Sequence, residues 1–211
     1  MQPLRIIRSE QHGKLGSEIQ SMLQAGHIYL TPGESNVNAA HETTHGVNSR
    51  LRQMYSGGVN CFFVGQGKAF VCREPRVRLS DVLARVPAEL RGNGCALYLQ
   101  QQQRDWNDQP TYCLDEWTAY VNGAIVGFDI GRPEWMELER AIEFCGYATA
   151  LLCAIEDLDP GYADKAALSE FVSWQICRVS VLCERAKKAG VWRESHEGLS
   201  SRFVNRFVRE Q

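Results

Sequence analysis

The sequence predicts an α+β fold, in which a small N-terminal sheet is followed by a mainly helical C-terminal half. Short runs rich in β-branched and aromatic residues, bounded by glycine-containing turns, concentrate in residues 1–112. Residues 113–211 instead carry longer stretches with apolar residues at helical spacing. Because the 211 residues show no internal repeat and no linker-like segment, we expect one domain over residues 1–211, strand-rich over 1–112 and helical over 113–211.

The first half is predicted to alternate between strands and helices. The predicted strands cover residues 4–8, 27–30, 61–64, 69–73 and 95–102, and the third and fourth of them form a hairpin around a glycine-rich turn. The predicted helices cover residues 17–26, 35–55 and 80–85. The second of these helices takes Ser35 or Asn36 as its N-cap and ends at the glycines that follow Ser56.

Four further helices are predicted in the second half, over residues 114–126, 133–158, 164–189 and 200–209. Pro133 suits the first turn of a helix, because its missing N–H has no partner there in any case. The turn sequence at residues 159–162 separates the second of these helices from the third. Phe171, Trp174 and Val179 keep an apolar stripe on the third helix.

Bulk composition is that of an ordinary globular protein and excludes several classes of partner. The formal net charge of −2 gives no electrostatic bias toward nucleic acid or acidic membranes. The longest apolar stretch, residues 144–155, is too short to span a bilayer. The first residues lack the apolar run and cleavage site of a signal peptide, so we expect a cytoplasmic protein, although secretion by a signal-less route would leave no trace in the sequence. The sequence does not indicate an oligomeric state.

The eight cysteines do not resemble a disulfide framework. No Cys-x-x-Cys pair occurs, which argues against a thiolate zinc knuckle and a thioredoxin-type redox motif. Cys61, Cys95, Cys145, Cys153 and Cys177 lie in apolar runs, where a free thiol behaves as a small hydrophobic side chain. We therefore expect reduced thiols.

The most informative segment is residues 39–50, AAHETTHGVNSR, which contains the pattern His-Glu-x-x-His. His41 and His45 are four residues apart, so on a helix both imidazoles lie on one face and can reach one metal ion. Glu42 points about 100° away around the helix, where it can act on a metal-activated water as general base. The alternative is a solvated helix with two surface histidines. The apolar neighbours Val37 and Val47 argue against it, because two unpaired histidines on a partly buried face would be costly.

This segment resembles the active-site helix of the zincin metallopeptidases. The metzincin branch continues the motif to a glycine and a third histidine, but those positions hold Asn48 and Leu51 here. The inverted His-x-x-Glu-His form is also absent. The resemblance covers this helix and one later segment, about a tenth of the chain, and it implies a zincin-like fold with a bound zinc ion.

In the gluzincin branch of that superfamily, the third zinc ligand is a glutamate on a later helix, often followed three residues on by a small residue. Glu116 and Ala119 match this pattern, with Tyr120 and Gly123 close to the same helix face. The resemblance thus implies Glu116 as the third ligand. Asp115 is the next candidate, and the remaining candidates are Glu139, Glu143 and His196.

Two functions remain open from the sequence. The first is a zinc-dependent hydrolase, in particular a metallopeptidase acting on a peptide or protein substrate, with Glu42 as general base. Tyr120 or Tyr112 would then donate a hydrogen bond to the oxyanion, as a tyrosine or histidine does in many zincins. The alternative is that each tyrosine is a buried aromatic side chain of the core. The second is a catalytically inactive zincin-like domain that binds a metal or another protein. The presence of Glu42 favours the hydrolase, because a purely structural site has no use for a base beside the metal.

Overall fold

The chain folds as a mostly helical structure of mixed α and β type, with one small antiparallel sheet. The computed structural model describes residues 36–55, 58–65 and 68–192, and the backbone of residues 6–8. The strands are β1 (Ile6–Arg8), β2 (Val59–Phe63) and β3 (Lys68–Arg73). The α-helices are α1 (Asn36–Met54), α2 (Leu79–Arg85), the short α3 (Asn93–Cys95) and α4 (Gln103–Trp106), α5 (Tyr112–Asp129), α6 (Trp135–Leu158) and α7 (Lys165–Lys188).

The sheet has the strand order β1-β3-β2. Its β2–β3 pair is apolar on both faces. Cys61 lies opposite Val71 and Phe63 opposite Ala69 in the β2–β3 pair. Because alternate side chains of a strand point to opposite faces, these four residues form one face, which packs against α1 in a small apolar cluster. Phe62 and Phe70 lie on the other face and belong to the larger core.

The larger core is built mainly from the three long helices of the second half. Phe171 of α7 stacks on Phe70 of the sheet with ring centroids 4.3 Å apart. The indole N–H of Trp117 in α5 donates to the Ala141 carbonyl of α6 at 3.0 Å. Helix α5 is buried along most of its length between α1 and α6, so it is the element that connects the motif helix to the core.

One predicted strand is wrong. Residues 95–102 form the end of α3 and a π-helix over Ala96–Gln101, not a strand. The apolar run is too short for periodicity to separate the two structures. The burial of Cys95 and Leu99, four residues apart, shows the helical pattern. The described part of residues 1–112 contains more helix than strand.

The other predicted elements within the described residues agree with the structure to within a few positions. The predicted strand at 27–30 and the predicted helices at 17–26 and 200–209 lie outside the described residues. All eight cysteines are free, but Cys153 and Cys177 are exposed, contrary to what their apolar neighbours in sequence suggested. None of the helices in the described ranges has the length and apolar character needed to cross a membrane.

Candidate metal centre

Helix α1 brings the two histidines of the motif side by side. Its apolar face, including Val37, Ala40 and Val47, is buried, which fixes the rotation of the helix about its axis. The His41 and His45 rings lie edge to face with their Nε2 atoms 3.1 Å apart. His41 is only 6% exposed, whereas His45 is partly open to solvent.

Glu116 completes a group of three possible ligands. It lies in the second turn of α5, and its carboxylate oxygens are 3.8 Å from the Nε2 atoms of both His41 and His45. One potential ligand atom from each of the three residues lies within 4.8 Å of the others. Glu116 is therefore directed toward the histidines from the neighbouring helix.

The dimensions of this group fit a zinc ion. Tetrahedral zinc with bonds of about 2.0 to 2.1 Å to nitrogen and oxygen holds neighbouring ligand atoms roughly 3.3 to 3.4 Å apart. The separations here, 3.1 Å between the nitrogens and 3.8 Å from each nitrogen to a carboxylate oxygen, lie on either side of that value. Two imidazoles and one carboxylate, with a further position left for water or substrate, are also a donor set found in catalytic zinc sites.

Two further carboxyl groups lie at the Nδ1 atoms of the histidines, whereas Glu116 lies at their Nε2 atoms. The Nδ1 atom of His41 is 3.3 Å from Glu137 Oε2, and the Nδ1 atom of His45 is 3.5 Å from Asp115 Oδ1. Carboxylates in this position fix the tautomer and orientation of a metal-binding histidine and direct its Nε2 toward the ion. Asp115 also contacts Arg52 at 3.4 Å, so it is anchored from two sides.

Burial is the largest influence on the pKa values of these groups. Burial lowers the pKa of His41 to about 4, and the neighbouring His45 lowers it further. Burial alone would lower the pKa of His45, but the hydrogen bond to Asp115 and the charge of Glu116 outweigh it and raise that pKa. Burial raises the pKa of Glu116, and burial together with Glu134 and Glu42 raises the pKa of Glu137 to about 9. No lysine or arginine lines the cleft within the described part of the chain, and Arg52 pairs with Asp115 outside it.

The three possible ligands open into a cleft of about 370 Å³. Glu42 is exposed and lines this cleft beside the histidines, outside the group of three. The Tyr120 ring packs edge-on against His41, with centroids 4.4 Å apart, and its hydroxyl is hydrogen-bonded to the Tyr98 hydroxyl. Leu97 and Met136 also line the cleft, with 40% and 57% of their surface exposed.

The structure thus brings most of the predicted site residues together. His41, Glu42, His45, Glu116 and both candidate tyrosines, Tyr112 and Tyr120, surround one cleft, and their roles in metal binding and catalysis stay predictions.

The alternative ligands lie elsewhere. Asp115 contacts the far side of the His45 ring. Glu143 pairs with Arg140 on α6, and Glu139 is not among the residues around the cleft. His196 lies outside the described residues.

Sequence reasoning missed two residues of the site, Glu137 and Tyr98. Glu137 is separated from His41 by 96 positions, so no local spacing connects them. Tyr98 lies in the segment wrongly predicted as a strand, where its direction could not be inferred. For Glu137, the only available signal was its position in the first turn of a helix that begins after Pro133, which is a common position for acidic residues.

Comparison of the chain with models of protein families, with curated proteins and with solved structures finds no match.

Proposed function

We propose that this protein is a zinc-dependent hydrolase of the zincin type, and in particular a metallopeptidase. The observation that carries the proposal is the meeting of His41, His45 and Glu116, from two different helices, in a cleft that Glu42 also lines. Such an arrangement supplies three metal ligands, access for a substrate and a carboxylate placed to move a proton. The motif helix alone would supply only two of the three ligands.

Zinc is the metal that we propose because of the donor set. Imidazole nitrogens suit several transition metals, but two histidines and one glutamate with an open position are a known combination for catalytic zinc. A bound zinc ion would act as a Lewis acid that lowers the pKa of a water molecule and polarises the carbonyl under attack.

The protein's own residues would handle the protons and the developing charge. The Glu42 carboxylate takes a proton from the attacking water and transfers it to the nitrogen of the leaving amine. Its exposed position in the cleft lets it reach both water and substrate. The Tyr120 hydroxyl donates a hydrogen bond to the oxygen that becomes negatively charged, and its hydrogen bond to Tyr98 holds it in place.

A peptide-library digestion with wild type and Glu42→Gln tests the proposal. Because Glu42 is not among the proposed ligands, the variant should keep its fold and its zinc while losing cleavage by about 10² to 10⁴-fold. Glu156→Gln is the matched control, since that glutamate is exposed and pairs with Lys165 away from the cleft. Zinc content is measured in every sample.

The outcomes separate the hydrolase from the inactive zincin-like domain. Cleavage that disappears on chelation and in Glu42→Gln supports the hydrolase. Equal cleavage by wild type and Glu42→Gln would show that Glu42 is not the base. Stoichiometric zinc without cleavage of any library peptide would favour the non-catalytic domain.

A further inference from the structure

We propose that Glu137 is a positioning residue for His41, and that position 123 is a glycine because the Glu137 carboxylate occupies the space of its side chain. The inference rests on the proposed metal site, but it concerns a residue from a third helix that belongs neither to the motif nor to the ligand segment.

The contact places a carboxyl group on the side of the His41 ring that faces away from the ligand cluster. Glu137 Oε2 lies 3.3 Å from Nδ1, and the Glu137 residue is only 3% exposed. With its Nδ1 proton directed to Glu137, His41 presents the lone pair of Nε2 toward His45 and Glu116. A carboxyl oxygen that accepts a hydrogen bond from Nδ1 also raises the basicity of the imidazole and so strengthens its bond to a metal.

The contact requires that α5 has no side chain at position 123. A Cβ atom at Gly123 would lie 2.3 Å from Glu137 Oε2, a separation that a real Cβ does not adopt, and 3.3 Å from the Val37 backbone carbonyl of α1. Gly127, one turn further on, leaves space for the backbone of the turn that leads into α6, with Arg132 O 3.1 Å from its ideal Cβ position. These two glycines let the start of α6 lie directly on α5. A side chain at position 123 would therefore have to displace the carboxylate from His41.

Other contacts do not account for the burial of Glu137. Within the described ranges, the hydrogen bonds and ion pairs of its carboxyl group are with the His41 ring. Asp115 supports His45 in a comparable position, but it also contacts Arg52 and Asn48 and so contributes to the packing of α1 on α5. A carboxyl group is costly to bury unless it is hydrogen-bonded or paired with another group. Glu137 thus offers a cleaner test of positioning than Asp115 does.

The experiment measures zinc affinity of the full chain by competition with a chromophoric chelator, for wild type, Glu137→Gln, Gly123→Ala and the double variant. We expect the dissociation constant of each single variant to rise about 10- to 100-fold. The double variant should be no weaker than the weaker single variant, because both changes remove the same interaction. Glu156→Gln and Gly46→Ala are the controls, and both should bind zinc like wild type. Gly46 lies in α1 with open space around its Cβ position.

Two further measurements distinguish positioning from a general loss of structure. Thermal unfolding of the metal-free proteins reports whether each variant folds, and the visible absorption of the cobalt-substituted proteins reports on the geometry around the ion. Positioning predicts a changed cobalt spectrum in Glu137→Gln with metal-free stability close to that of wild type.

Three results would overturn the inference. Wild-type affinity and an unchanged cobalt spectrum in Glu137→Gln would do so while leaving the metal site intact. Additive losses in the double variant would show that Gly123 acts independently of Glu137. Failure of the wild type itself to bind zinc would overturn the inference and the proposed function together.

Discussion

The Nε2 atoms of His41 and His45 lie 3.1 Å apart, while the Nδ1 atom of each ring lies beside a different carboxyl group. When Nδ1 carries the proton, the lone pairs of the two Nε2 atoms point into a shared space that Glu116 also borders. Donors this close repel one another unless a proton, as in the hydrogen bond that the 3.1 Å separation allows, or a metal ion lies between them. Together with Glu116, the two rings offer three donors to one ion, which supports the proposed metal site.

We expect the purified protein to contain about one zinc ion per chain. Elemental analysis of protein that has never contacted a metal-affinity column measures this. Zinc at about 100 times its dissociation constant should stabilise the metal-free protein by ~2.7 kcal/mol, which corresponds to a rise in Tm of roughly 5 to 10 °C. Metal content near zero, with no uptake on addition of zinc and no change in Tm, would contradict the proposed site.

Removal of Glu116 should weaken zinc retention more than removal of any other carboxylate named as a possible ligand. Glu116→Ala takes away one of three proposed ligands, whereas Glu139→Ala changes a residue of α6 that does not line the cleft. Asp115→Ala should give an intermediate loss, because its carboxylate supports His45 without facing the ion. Equilibrium dialysis against zinc buffers ranks the three variants. Equal retention by Glu116→Ala and Glu139→Ala would show that the third ligand is a different residue.

Tyr120→Phe should lower kcat for peptide cleavage while leaving zinc content unchanged. The hydroxyl lies at the cleft beside His41 but is not part of the ligand group, so its removal should affect the developing negative charge and not the metal. Loss of one such donor typically costs about 10²- to 10³-fold in kcat. Tyr55→Phe, at the far end of the motif helix, is the control. A change in KM alone would assign Tyr120 to substrate binding.

Asn48→Ala should destabilise the fold. The Asn48 side chain is fully buried, accepts a hydrogen bond from the Phe63 N–H at 2.6 Å and donates to Asp115, so it joins α1 to the sheet and to α5. Loss of these bonds leaves buried polar groups unpaired and should reduce the free energy of unfolding by about 2 to 4 kcal/mol. Urea denaturation of the metal-free protein measures the effect. The neighbouring Ser49→Ala is the control, and similar values for both variants would show that the network contributes little.

Thiol reagents should distinguish two cysteines from the other six. Burial raises the pKa of the Cys61 thiol to about 11 and that of Cys72 to about 12, which keeps them protonated and shielded at neutral pH. Cys153 and Cys177 are exposed. Titration with a disulfide reagent should therefore modify two thiols per native chain and eight after denaturation. Rapid modification of Cys61 or Cys72 in the native protein, located by mass spectrometry, would contradict the described packing.

Local spacing explains which parts of the site could be predicted. His41 and His45 are four residues apart, and the geometry of one helix determines how their rings relate. The long helices were predicted well because their apolar periodicity extends over many turns. The position of Glu116 depends on how two helices cross. It could be proposed only through the resemblance to a family and not from spacing.

Contacts between distant segments explain what could not be predicted. The Glu137 carboxyl group can reach His41 because position 123 has no side chain. Nothing in the local sequence of α6 indicates this contact. The error at residues 95–102 has a different origin, since a short apolar run fits a strand and a helix equally well. Only the packing of Cys95 and Leu99 into the core decides between them.

The small apolar cluster between α1 and the sheet is separate from the larger core that holds most of α5, α6 and α7. His41 and His45 belong to the first unit, whereas Glu116 and Glu137 come from helices of the second. An ion held by both histidines and Glu116 would clamp the two units across their boundary. Loss of such an ion would remove this link but leave the direct packing of α1 on α5, which includes the Asn48–Asp115 hydrogen bond. Amide hydrogen exchange in α1 should then be faster in the metal-free protein, while the larger core stays protected.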